Sequence, residues 1–290
     1  VTQTPTATVV APALAAAPAA SQGSNLALPV YTLWRREMVR FFRQRNRVMS
    51  ALVTPILTWL MLGFGLNRSF IAPAAEGTAT ANSTGYLIYF FPGTVTMILL
   101  FTAIFSTITV IEDRREGFLQ GVMVSPVPRL AIVLGKVLGG ATIALIHAFI
   151  FLLIWPFVAP SINIWLILAS IPLLVMLSVA MTSLGFCIAW PMDSTAAFHA
   201  IMMVFLMPMW FLSGAIFPVE TAPLGLKIVM MINPLTYAHE AFATTLTGGK
   251  ATTGIPVHLS ICILITIAFT VAITAMAVRM VMKPRKDGQG

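Results

Sequence analysis

Glu112-Asp113-Arg114-Arg115-Glu116-Gly117-Phe118-Leu119-Gln120-Gly121-Val122-Met123-Val124-Ser125-Pro126 stands between two long apolar runs and carries five charges in its first five positions. Such a charged island is expensive in the hydrocarbon of a bilayer, so it reads as an aqueous loop or a surface helix. The apolar runs on either side then have to be membrane spans. The whole chain agrees: of its 290 residues 58% are hydrophobic and only 9% charged, with a mean hydropathy of +0.93. Soluble domains carry about 25% charged residues. An all-α, polytopic membrane protein is the expected fold class.

Apolar windows of about 20 residues, the length that crosses the hydrocarbon, recur at Val48–Leu66, Tyr86–Ile111, Ala131–Phe157, Ile164–Trp190, His199–Phe217 and His258–Val281. The second contains Pro92-Gly93 near its start, where it divides if the proline breaks the helix. Six crossings put both termini on one side. With the N-terminus in the cytoplasm, Arg35, Arg36, Arg40, Arg43, Arg45 and Arg47 lie inside, as do Arg114, Arg115, Arg129, Lys136, Arg279, Lys283, Arg285 and Lys286. Only Arg68, Lys227 and Lys250 lie outside. The positive-inside bias therefore predicts a multi-pass protein of the plasma (inner) membrane with both termini, and the island at Glu112, in the cytoplasm. The net charge of +8 gathers beside apolar spans, which sets nucleic-acid binding aside.

Four regions surround this core. Residues 1–25, rich in Ala, Pro and Thr, read as a disordered cytoplasmic tail, because the basic n-region and Leu-rich h-region of a signal peptide are missing. Residues 26–47 place Tyr31, Trp34, Met38, Phe41 and Phe42 on one helical face and Arg36, Arg40, Arg43 and Arg47 on another, as in an interfacial helix with its guanidiniums among lipid phosphates. A solvated juxtamembrane tail is the alternative. Between the last two spans, 218–257 is too apolar for a free loop; Leu224–Met231 and Tyr237–Leu246 read as short helices split by Asn233-Pro234 and dipping back toward the membrane. Residues 283–290 form a basic cytoplasmic tail. The triplets Asn67-Arg68-Ser69 and Asn82-Ser83-Thr84 match the glycosylation pattern and face outward in this topology.

Catalytic chemistry is sparse. His147 reads as the only ionisable side chain well inside a span, either a proton relay or a neutral imidazole bonded to a neighbouring helix. Glu220, His239, Glu240 and His258 match no metal spacing and read as polar anchors of the outer hairpin. Asp193 has no evident partner. Met202, Met203, Met207 and Met209 suit packing better than soft-metal ligation, and Cys187 and Cys262 read as small apolar residues. Gly135-Lys136-Val137-Leu138-Gly139 is a GxxxG that admits another helix at close range. No GxxxxGK[ST] loop occurs; Gly248-Gly249-Lys250-Ala251 lacks both the first glycine and the hydroxyl.

Four stretches, in order and at matching topological places, resemble the membrane subunits of ABC-2 type exporters: Glu112–Pro126, Phe90-Phe91-Pro92-Gly93, Phe211–Glu220 and Ile232–Ala238. The likeness covers roughly residues 30–282. It implies an export permease for a drug-like, lipid or glycan substrate, not itself an enzyme and without a cofactor. ATP and magnesium would bind a separate ATPase subunit, and the permease would be a homodimer or pair with a similar permease. Glu112, Arg114, Arg115, Glu116 and Gly117, within a loop over 112–130, would contact the ATPase together with the helix bearing Trp34, Arg36, Arg40 and Arg43. The hairpin with Pro218, Glu220, Asn233, Pro234, Tyr237 and Glu240 would close the outer end. Phe101, Phe105, His147, Phe205 and Met209 are the candidate pathway lining. This chain departs from the pattern at Gln120-Gly121, where a break or bend is expected. An ion-coupled carrier would need carboxylates in spans and an internal repeat, and a non-transporting assembly subunit would need a polar cluster at one depth; both stay as alternatives.

Overall fold

The computed structural model describes residues 26–43, 45–66, 85–125, 127–159, 163–249 and 253–283, with backbone alone for 45–51. The 1–25 tail, the first outer loop with both glycosylation triplets, and the basic tail beyond Lys283 lie outside the described residues. No strand occurs among those described. The helices are α1 (Ala27–Arg43), α2 (Arg45–Gly65), α3 (Gly85–Ser106), α4 (Ile108–Arg115), α5 (Phe118–Val124), α6 (Arg129–Leu152), α7 (Trp155–Val158), α8 (Ile164–Ala189), α9 (Thr195–Phe211), α10 (Leu224–Ile232), α11 (Pro234–Thr247) and α12 (Leu259–Met282). Four stretches among the described residues are long and apolar enough to cross a membrane: α3 with α4, α6 with α7, α8, and α12. The apolar part of α2, Leu52–Gly65, and α9 are shorter.

Helix α3 is the centre of the bundle, buried almost continuously from Tyr86 to Ile104 and surrounded by α2, α6, α8, α9 and α11. Pro92 does not divide it. Around the proline, Thr96 Oγ1 donates to Pro92 O at 3.0 Å and Trp210 Nε1 to Gly93 O at 3.0 Å, the second bond tying this turn of α3 to α9. The interruption falls instead at Thr107, whose N–H reaches back to Ile104 O at 3.0 Å in a tighter turn before α4 resumes. At its other end α3 holds the chain leaving α9. That helix stops at Phe211 rather than at Phe217, the chain turns at Gly214 (φ +84°), and Tyr89 Oη donates to Gly214 O at 2.7 Å.

A Cβ on Gly93 would stand 2.6 Å from Ala215 O and 2.9 Å from Ala215 Cβ. The nearest obstacle is backbone and cannot rotate away. Gly93→Ala is therefore expected to cost about 1–3 kcal/mol, read as an earlier thermal transition of the detergent-solubilised protein.

The segment between α9 and α12 forms two helices, α10 and α11. Asn233 accepts from Leu235 N at 3.0 Å through Oδ1 and donates from Nδ2 to Met209 O at 2.7 Å; Pro234 supplies the preset φ of a first helical position. Helix α11 is mostly buried against α3, α8 and α12, whereas α10 exposes Leu224, Ile228 and Ile232. Helix α1 lies along α6 over the GxxxG: Cβ atoms on Gly135 and Gly139 would fall 2.5 Å from Leu33 Cβ and 2.9 Å from Glu37 Cβ. The partner of that motif is this chain's own first helix.

Candidate functional site

The charged island is helical, not a loop, and it is only partly aqueous. Asp113, on α4, is fully buried. Arg36 of α1 grips it with both terminal nitrogens at 2.8 and 2.7 Å, Arg40 adds a bond at 2.8 Å, and Lys136 of α6 donates to its other side. Lys136 also reaches Glu37 Oε1 at 2.6 Å and Thr109 Oγ1 at 3.1 Å. Glu37 and Lys136 are themselves buried. Forked arginine–carboxylate pairs are strong and directional, and buried charges persist only when fully partnered. The hydrogen bond to Asp113 holds the Arg36 guanidinium above its ordinary pKa. Together these contacts lock α1, α4 and α6 to one another.

Two expectations change here. Arg36 and Arg40 point to Asp113 and to Glu112 (2.7 Å), not to lipid phosphates, because α4 presents carboxylates to that face. Trp34 likewise turns inward, its Nε1 donating to Thr142 Oγ1 at 3.1 Å, while Arg43 is exposed. Lys136 is the second correction: His147 is not the only ionisable side chain in a span. His147 is buried against the Phe41 ring at 5.3 Å, with Nδ1 2.9 Å from Ile143 O.

Behind Asp113, Arg114 and Arg115 face the turn between α8 and α9. Arg114 donates to the carbonyls of Trp190 and Met192 (3.1 Å) and to Asp193 Oδ1 at 3.1 Å, so Asp193 does have a partner. Arg115 Nε donates to Asp193 O at 2.7 Å. Beyond them the chain bends at Gly117 (φ +75°), not at Gly121, which lies inside α5. Gly117 serves because it takes the left-handed conformation without a Cβ penalty, whereas Gly121 keeps helical neighbours. Helix α5 buries Leu119 against Leu33 and Ile132 and leaves Gln120, Met123 and Val124 exposed, Val124 at 88%. The Glu116 side chain beside it is 60% exposed.

A groove of about 460 Å³ opens beside α3, between α2 and α9, lined by Phe101, Phe105, Met97, Met203 and Met207, with Glu112 and His199 also on its wall. Phe205 and Met209 do not line it: Phe205 points outward from α9, and Met209 is packed. His147 is not on its wall either. At the hairpin end, Glu240 accepts from Thr253 N at 2.7 Å and from the hydroxyls of Thr253 and Thr244 (the latter 3.0 Å). His239 Nδ1 lies 3.0 Å from Thr96 Oγ1, and Tyr237 Oη donates to Met231 O at 2.7 Å. Pro218 is buried and Glu220 exposed. Among the described residues no three of His, Cys, Asp and Glu converge as metal ligands.

The sequence reading missed Glu37, Asp113 and Lys136 as a unit. One signal was available: a lysine inside a GxxxG, seven residues into an apolar helix, has to find a carboxylate.

Comparison with known proteins agrees with this architecture. The family model described as ABC-2 type transporter matches residues 29–247. The transport permease ycf38 of Cyanophora paradoxa is 27% identical over 217 residues, 73% of this chain and 71% of that protein. The ycf38 permease of Porphyra purpurea is also 27% identical, over 215 residues covering 73% and 71%. Nodulation protein J of Rhizobium leguminosarum bv. viciae is 23% identical over 264 residues, 87% of this chain and 94% of its own. With the family model spanning most of an all-helical, membrane-crossing chain, this protein belongs to the ABC-2 type transporter family.

Proposed function

We propose that this chain is the permease subunit of an ABC-2 type exporter, moving a drug-like, lipid or glycan substrate out of the cell with energy from ATP hydrolysed by a separate ATPase subunit. The braced α4 with its exposed tip carries the reading. Nucleotide-driven closure outside the membrane moves the spans only through a handle that does not bend by itself. Asp113 ties α4 to α1 and α6, and Arg114 ties it to the turn between α8 and α9, so a push on α5 reaches most of the bundle. Glu116 and Val124 offer the ATPase one polar and one apolar contact. ATP and magnesium belong to that partner.

In this reading α2 and α9 complete six crossings of the inner membrane, the charged end is cytoplasmic, and the α10–α11 hairpin closes the outer end. A second copy, or a similar permease, stands against α2 and α9 and covers the open side of the groove. The aromatic and methionine wall there suits an amphipathic cargo. An ion-coupled carrier is less well supported, because the buried carboxylates are already partnered, Glu37 and Asp113 by cations and Glu240 by Thr244 and Thr253.

The test is affinity purification of the tagged chain from native membranes, which should bring an ABC ATPase with it, followed by ATP-dependent uptake into inverted vesicles. Recovery without any ATPase sinks the proposal. Transport that follows the proton gradient and survives ATP depletion would favour the carrier.

A further inference from the structure

The charged end of the bundle holds a second cavity, separate from the groove. It occupies about 710 Å³ between α5, the first turn of α6, the end of α8 and the end of α12. Its polar lining includes three cations, Arg114, Arg129 and Lys283, and no carboxylate lines it among the described residues. Arg114 is engaged by Asp193 and nearby carbonyls. Arg129 makes one long contact, 3.5 Å to Val281 O. Both Arg129 and Lys283 are exposed, and neither has an ion pair among the described residues.

Apart from Gln120 the remaining walls are apolar, with Leu119, Met123 and Met280 among them. Above the cavity runs α12, the least buried of the four long spans, with Val271, Met276 and Met282 exposed along it. The cations therefore sit where an apolar, outward-facing helix ends. A ligand matching this place has a phosphate at one end and hydrocarbon at the other. A soluble anion would leave the apolar wall unused.

We infer that this cavity holds the headgroup phosphate of an anionic phospholipid, its acyl chains lying along α12. Basic pockets between spans at the cytoplasmic surface recognise such headgroups, and arginine beside lysine supplies both a fork and a mobile point charge for phosphate oxygens. The site does not depend on the transport reading, since it needs only the position of the bilayer boundary.

The experiment uses the purified full-length chain, with native mass spectrometry of retained lipid after exchange into mixtures of phosphatidylglycerol and phosphatidylcholine. The parent protein should keep phosphatidylglycerol preferentially. R129Q/K283Q should lower that retention about tenfold or more, while R129K/K283R should keep it. Should R129Q/K283Q not fold, Lys283→Gln alone, beyond the last turn of α12, should still lower retention several-fold. Equal retention in the parent and the charge-removed variants overturns the proposal, as does equal retention of phosphatidylcholine. Displacement of the lipid by inorganic phosphate would assign a soluble anion instead. Occupation only by a bound protein partner would assign a docking surface.

Discussion

Lys136→Met is expected to destabilise the subunit by about 3–5 kcal/mol, the cost of removing one partner from a buried ion pair. The lysine is buried between Glu37 and Asp113, and methionine leaves Glu37 with a single longer contact, 3.5 Å to Arg36. Asp113 suffers less, because Arg36 and Arg40 still hold it. The damage should therefore concentrate on Glu37. K136M/E37Q should recover a substantial part of the loss, since a neutral amide costs far less to bury than an uncompensated carboxylate. Thermal unfolding in detergent, with the yield of inserted protein, measures both. A Lys136→Met protein as stable as its parent would mean that the buried Lys136–Glu37 pair does not hold α1 to α6.

Substitution at the tip should do the reverse, with transport lost and the fold kept. Glu116 is exposed, and its nearest cation, Arg40, is 3.6 Å away; Val124 projects from the end of α5. E116R/V124D reverses one charge and replaces an apolar contact by a carboxylate on the proposed ATPase face without entering the bundle. A central interface contact is worth about 2 kcal/mol or more, on the order of thirty-fold in affinity. ATP-driven export should fall at least to that degree while the melting transition stays unchanged. Arg115 is the poorer choice, because its bond to Asp193 O makes it part of the turn between α8 and α9. Full export by E116R/V124D would place the ATPase contact elsewhere.

The helical class and the hairpin split at Asn233-Pro234 were legible in the sequence, because they follow from local rules: apolar length, proline at a first turn, an Asn cap. The network at Asp113 was not. Lys136 and Glu37 are 99 positions apart, and no periodicity announces that α1 will lie on α6 with Glu37 facing a lysine. The candidate pathway residues divide for a related reason. A helix apolar all round carries no stripe to distinguish its lipid side from its protein side, so Phe205 and Phe101 look alike in sequence while one points outward and the other lines the groove. The bend expected at Gly121 falls at Gly117, where α4 is held on both sides and the chain has to leave it.

That bend has an evolutionary consequence. Nothing lies within 4 Å of where a Gly117 Cβ would sit, so the position is conformationally demanding yet sterically empty. The left-handed region costs an ordinary residue about 1–2 kcal/mol, and asparagine less than most. The side chains that follow oppose any re-aiming of α5: Leu119 is buried against Leu33 and Ile132, and Phe118 lies under the Arg36 guanidinium at 3.6 Å. Backbone conformation alone therefore selects the residue at 117, and glycine or asparagine should prevail wherever this packing of α5 is kept.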